Sequence, residues 1–217
     1  MRTMDTMAPE VRDLLSEAAT WRLLGLLLER PRDGWWRQVD ELSRGGIGDP
    51  ALTAAVDAAR EEAAEGLYLA LLGPGGVVSP REVSYRGMED PGRILADLRA
   101  FYEAFAFNPR TEEAADHLSV EAGFLGYLRL KEAFARTRGE DEKAVIAADA
   151  ATRFRTDHLA AYAQSFAERV EKTGVGYLTL AARSLARLAG PPEPAATDAG
   201  LPLLEEGCPL TCGSDDP

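Results

Sequence analysis

Between Glu10 and Glu29 the chain carries apolar side chains around more of a helix than one face. Val11, Leu14, Leu15, Ala18, Trp21, Gly25 and Leu28 recur at helical spacing. Leu23, Leu24, Leu26 and Leu27 then fill much of the remaining circumference of the second half. A helix that is apolar all round has to be buried all round. The segment therefore predicts a central helix with other elements packed about it, ended by Pro31.

The other elements follow the same periodicity. Trp35 to Leu42 predicts a short second helix, and Arg44 to Pro50 a loop. Ala51 to Leu72 is rich in Ala and Glu and reads as one helix, with Leu52, Val56, Ala59, Ala63, Leu67 and Ala70 as its stripe. Gly73-Pro74-Gly75-Gly76 ends it. Val77 to Gly87 has no helical period and predicts a structured loop of the kind that often carries function. Asp90-Pro91 opens a helix bearing Ile94, Leu98, Phe101, Tyr102 and Phe105. A central helix lies within Thr111 to Arg136. A long one spans roughly Asp141 to Lys172, with Ala147, Ala151, Phe154, His158, Tyr162, Phe166 and Val170 on one side. The last carries Tyr177, Leu178, Ala181, Leu185 and Leu188. No run alternates as a strand would, so the expected fold class is all-α, a single compact bundle of about six or seven helices over residues 1–189. From Gly190 the composition turns to Pro, Ala and acid, and residues 190–217 are expected to form a flexible acidic tail holding Cys208 and Cys212.

Composition removes several function classes. The formal net charge of −12 repels phosphate backbones and argues against nucleic acid as a partner. The longest apolar run, Leu23 to Leu28, is far too short to span a membrane, and the first residues lack the apolar core of a secretory signal. The expected location is cytoplasmic. Both cysteines lie in the tail, so no disulfide framework holds the fold, and two thiols alone do not complete a tetrahedral zinc site.

The chemistry-bearing residues concentrate at the head of the central helix. Both histidines of the chain stand in the same tripeptide, Asp116-His117-Leu118 and Asp157-His158-Leu159. His117 and Glu121 are four residues apart and share a helix face. A metal site would use them with His158, but the chain has neither the His-Glu-x-x-His pattern nor paired Glu-x-x-His. An acid/base pair is chemically possible, yet no nucleophile motif accompanies it, and Gly73-Pro74-Gly75-Gly76 lacks the strand and the Lys-Ser/Thr of a phosphate loop. Two further readings stay open. One is a structural network in which Asp116 caps the helix and Glu121 accepts from Tyr or Arg side chains. The other is a recognition surface for a basic, partly apolar peptide, with Glu82 and Tyr85 on the neighbouring loop.

Several of these segments resemble the TorD/DmsD/NarJ-type redox-enzyme maturation chaperones. Leu67-Tyr68-Leu69-Ala70-Leu71-Leu72-Gly73-Pro74 is similar to that family's Tyr-x-x-Leu-Phe-x-Gly-Pro segment. Ser79-Pro80-Arg81-Glu82-Val83-Ser84-Tyr85 is similar to its Pro-Tyr-Glu-Ser-Val-Tyr loop, with Arg81 where an aromatic residue is common. Asp116-His117-Leu118-x-x-Glu121 followed by Phe124-Leu125-x-x-Leu128 resembles its Pro-Asp-His-Leu-x-x-Glu-Leu-x-Phe-Met motif, with Ala115 and Ala122 as departures. His158-Leu159-x-x-Tyr162-x-x-x-Phe166 resembles His-Leu-x-x-Trp-x-x-x-Phe. The resemblance implies a cytoplasmic all-helical chaperone, with no catalytic residues, metal or cofactor of its own. It would bind the twin-arginine leader or the apo form of a molybdopterin oxidoreductase catalytic subunit and assist cofactor insertion before export. By position it implies Glu82, Tyr85, Asp116, His117 and Glu121 as peptide-binding residues, with Phe124 and Leu128 lining the apolar part. The alternatives are an enzyme built on Asp116, His117, Glu121 and His158, or a delta-type subunit that stays in a respiratory reductase. A monomer is expected, or a dimer that swaps helices through the Gly139–Glu142 loop.

Overall fold

The computed structural model describes residues 8–45 and 49–192. The expected tail with Cys208 and Cys212 lies outside the described residues apart from its first three positions. The described elements are α1 (Pro9–Leu27), α2 (Trp35–Ser43), α3 (Pro50–Glu62), α4 (Glu65–Leu72), α5 (Pro91–Ala104), α6 (Leu118–Thr137), α7 (Asp141–Phe154), α8 (Ala160–Glu171) and α9 (Gly176–Ala189). A π turn, Arg155–Leu159, joins α7 to α8 without a break, and a 3-10 turn covers Glu82–Ser84. Counting the α7–α8 rod once gives eight helices among the described residues, against the six or seven expected, and no strand longer than a single bridge.

The apolar-all-round segment is central, as its pattern requires. Leu23 to Leu28 are buried without interruption. α1 packs chiefly against α6, α6 against α7, α3 against α9, and α8 against α9. Glycines set the α1–α6 approach. A Cβ on Gly25 would stand 3.0 Å from the Ser119 carbonyl, and one on Gly126 would stand 2.9 Å from the Ala18 carbonyl. The two contacts run in opposite senses along the two chains, so the helices are antiparallel and nearly touch by backbone.

Two elements differ from expectation. The single helix expected over Ala51 to Leu72 is broken at Ala63 and Ala64, which are extended. Alanine favours helix, so tertiary contact overrides propensity here. The Glu62 carboxylate accepts the Tyr177 N–H at 2.9 Å and so caps the start of α9. The break lets α3 bury Leu52, Ala55, Val56 and Ala59 while α4 turns Tyr68 and Leu72 inward. The π turn is the second difference. Phe154, His158, Tyr162, Phe166 and Val170, all buried, keep a spacing of four, which outruns the 3.6 residues of an α turn. One wide turn absorbs most of the excess and keeps all five inside.

Candidate functional site

The Ser79–Gly87 loop is fastened to the start of α6 by backbone. The Glu82 N–H donates to the Asp116 carbonyl and the Leu118 N–H to the Pro80 carbonyl, each at 2.9 Å, and Arg81 and His117 form a lone antiparallel bridge. This brings Glu82, Asp116, His117 and Glu121 together with His158 of the π turn, all buried. Tyr85 is half-buried at the edge. Its ring stacks on Tyr162 with centroids 5.5 Å apart, its hydroxyl donates to the Ser79 carbonyl at 2.7 Å, and the Arg169 guanidinium lies 4.7 Å over it.

Each polar group has its own arrangement. Asp116 is not the helix cap that its position suggested. Arg81 holds its carboxylate through Nε at 2.9 Å and Nη2 at 2.7 Å, while Val83 N–H makes a long contact of 3.4 Å to the other oxygen. The cap is His117, whose Nδ1 accepts the Ser119 N–H at 3.2 Å. With Nδ1 accepting, Nε2 carries the proton and donates to the Tyr68 hydroxyl, 3.1 Å away. Glu82 meets His158 Nδ1 at 3.0 Å and Arg86 Nη1 at 3.1 Å. Glu121 has the poorest provision. Neither of its oxygens has a hydrogen-bond partner of ordinary geometry, and the buried Tyr162 hydroxyl beside it has none either. Burial first, and then the charge of Glu82, push the Glu121 carboxyl well above the usual carboxylate range, with the Tyr162 hydroxyl and Arg86 opposing.

Burial pulls His117 down to about 4, with Asp116 opposing and Arg81 adding to the fall. The unfolded chain therefore takes up a proton near the ordinary histidine value while the fold refuses it. The stabilisation is whole above about pH 6.5 and is lost as pH falls toward 4, a total of about 3 kcal/mol. Urea midpoints across that window should fall for the wild type by this share, less the opposing contribution of Glu121, whose carboxyl is raised. They should fall less for His117→Asn, which keeps a capping oxygen but has no proton to take up. Equal slopes in the two proteins would remove His117 from the account.

Phe124 and Leu128 were expected to line an open groove. Both are fully buried, and Phe124 sits among the rings of Phe101, Tyr102, Phe105, Phe107 and Phe154. α6 is enclosed on most sides, so its middle serves the core. The ligand set imagined for a metal is not assembled, since His117 turns to Tyr68 and Ser119 and His158 to Glu82. Among the described residues no three His, Cys, Asp or Glu side chains are grouped to hold an ion. Arg81 and Arg86 were missed by the sequence reading. Their signal was present, an arginine on either side of Glu82 in a loop facing an acidic helix start.

Two open surfaces adjoin this junction. A cleft of about 490 Å³ lies between α1, α6 and the Phe107–Thr111 segment, lined by Leu15, Ala19, Val120, Gly123, Tyr127 and Leu130, with Arg22, Glu29 and Arg110 also in its wall. Burial raises the Glu29 carboxyl above the usual range, and Arg22 opposes it. Gly123 has no atom within 4 Å of where a Cβ would stand. On the other side a polar groove of about 870 Å³ runs past Tyr85, Arg86, Phe101 and His158.

Such a fold, with most polar groups of this junction other than Glu121 and Tyr162 paired to one another and one mostly apolar cleft left open, is that of a helical binding protein. The chain belongs to the nitrate reductase delta subunit family, whose model matches residues 42–168. It is 33% identical over 166 residues to the chlorate reductase assembly chaperone protein of Ideonella dechloratans and, over the same length, to the selenate reductase assembly chaperone protein of Thauera selenatis. Each match covers 74% of this chain and 79% of the relative. An Archaeoglobus fulgidus crystal structure assigned as a redox enzyme maturation protein shares the fold, with a TM-score of 0.54 and 18% identity over 79% of this chain and 92% of that one. No helix among the described residues is long and apolar enough to cross a membrane.

Proposed function

We propose that this protein is a cytoplasmic, non-catalytic assembly chaperone for a molybdopterin oxidoreductase catalytic subunit. It binds the apo subunit through its twin-arginine leader and holds it until the cofactor is in place. The observation that carries this reading is the open apolar cleft on a chain whose relatives are named assembly chaperones of reductases. A leader joins a basic segment to an apolar one. The apolar part suits a cleft walled by Leu15, Ala19, Val120, Tyr127 and Leu130. The surrounding charge of −12 attracts the basic part. Asp116, His117 and the Glu82 backbone act by holding the Ser79–Gly87 loop in position, and Tyr85 is the member of that loop that a peptide meets. Phe124 and Leu128 act from the core, by keeping α6 and therefore the cleft wall in place.

The test is to fill the cleft. A Gly123→Trp side chain points into open space, so helix α6 accepts it. The expected result is at least a tenfold or so loss of affinity for the client's leader peptide, which is about 1.4 kcal/mol, with the melting temperature unchanged. Full affinity in the filled protein would put the binding surface elsewhere.

A further inference from the structure

Arg86 has more partners than a surface arginine needs. Nε and Nη2 donate to the two oxygens of Glu89 at 2.8 and 2.9 Å, and Nη1 donates to the Asp157 carbonyl at 2.7 Å. Nη1 also lies 3.1 Å from Glu82 Oε1. Two carboxylates and a carbonyl thus surround one planar cation in the forked geometry that a guanidinium matches and an ammonium does not. The partners come from three places: Glu82 from the 3-10 turn, Asp157 from the π turn, and Glu89 from the approach to α5. Beside them Glu121 is fully buried with both oxygens unpartnered.

The partners differ in how firmly they are held. Glu82 is bonded by its backbone to Asp116, and Asp157 lies within a continuous helical rod. Arg86 and Glu89 share a short turn closed by the Glu89 N–H to the Arg86 carbonyl at 3.2 Å. In that turn Gly87 has φ of +57° with open space at its Cβ position, and Met88 stands fully in solvent. The turn can swing out with its own Arg86–Glu89 pair intact, leaving Glu82 and the Asp157 carbonyl in place.

We propose that Glu82 and the Asp157 carbonyl form a guanidinium receptor whose resting occupant is Arg86, and that an arginine of a partner chain displaces it. The groove beside it takes the extended chain on either side of that arginine. In the groove wall Arg93 and Arg153 are balanced in number by Asp97 and Asp157, and the carboxylates that face the bound guanidinium are Glu82 and Glu89. Exchange of one guanidinium for another keeps a cation on buried Glu82, which His158 alone would otherwise meet, and so avoids the costly loss of a charge partner in the interior. Naming the partner chain as the client's leader rests on the function proposed above. The receptor itself does not.

Two measurements test this. The first uses no client. Arg86→Ala should melt lower than the wild type, and millimolar ethylguanidinium should restore at least half of the loss where ethylammonium at equal ionic strength does not. If the two cations act alike, the receptor does not exist. The second uses a short labelled peptide with an Arg-Arg pair ahead of a leucine-rich segment, and the same peptide with Lys-Lys. Removing a resting occupant that fills the site about nine-tenths of the time tightens binding about tenfold. Arg86→Ala should therefore bind the Arg-Arg peptide more tightly than the wild type does, and the Lys-Lys peptide no better. Equal or weaker Arg-Arg binding overturns the displacement. If the alanine variant does not fold, Arg86→Lys keeps a cation without the fork and should show the same tightening on a smaller scale, and equal or weaker binding there overturns it. If neither protein binds either peptide, the leader reading fails, and the ethylguanidinium result still decides the receptor.

Discussion

Gly126→Leu should lower the melting temperature by about 6–12 °C, a loss of roughly 3 kcal/mol at about 2–4 °C per kcal/mol for a chain of this size. The added Cβ would stand 2.9 Å from the Ala18 carbonyl and 3.3 Å from the Arg22 nitrogen. Both are backbone atoms of the buried helix α1, so no side chain can turn aside and the helices must part. The matched control is Gly123→Ala, one turn earlier on the same helix. It meets no atom within 4 Å and should gain up to about 1 kcal/mol from helix propensity. Thermal unfolding of the two variants should thus move in opposite directions. A Gly126→Leu protein that melts with the wild type would mean that α1 and α6 do not approach as described.

The second large effect lies at the loop anchor. Asp116 is fully buried, while the Arg81 side chain that neutralises it is 42% exposed. Removing the two partners is therefore not equivalent. Arg81→Met leaves a buried carboxylate with only a long contact to the Val83 N–H, and should cost about 2–3 kcal/mol. Asp116→Asn frees an arginine that can turn to water and keeps an oxygen for the Val83 N–H, so it should cost less. The double variant should fall near Asp116→Asn alone. Denaturant titration of this cycle reads the coupling directly, and additive losses would show that the pair contributes nothing jointly.

Much of this architecture is legible in the residues. The leucines of Leu23 to Leu28 leave no solvent face, and that alone makes α1 central. Asp90-Pro91 marks the start of α5 because a capping acid ahead of proline is local chemistry, and the Asp90 carboxylate does accept the Gly92 N–H. The break at Ala63 was not legible, because its cause is Glu62 reaching Tyr177, more than a hundred positions away in sequence. The π turn is half-visible in the spacing of four from Phe154 to Val170. That spacing states a mismatch with 3.6 without saying how the chain resolves it. The residues singled out as a candidate site do come together, but as a network closed from within. Acids in a motif look available to a ligand, whereas Arg81, Arg86 and His158 already answer two of them from within. Loop arginines look like solvent-facing charges until a fold brings carboxylates under them. Phe124 and Leu128 share an apolar face with genuine cleft residues, and only the depth of α6 in the bundle separates the two sets.

The unpartnered Glu121 has a consequence for the folding reaction itself. A carboxyl held above its unfolded value keeps a proton that the open chain would give up. Just above the ordinary carboxylate range, each molecule that folds therefore draws one proton from the buffer at this position, and stability declines as pH rises through that window. His117 works in the other sense, shedding a proton on folding between about 6.5 and 4. The two groups sit one helical turn apart at the head of α6. They make the solvent's acidity a reactant in folding with opposite signs, so the heat of that reaction varies with the buffer's ionisation enthalpy only by the difference between the two exchanges.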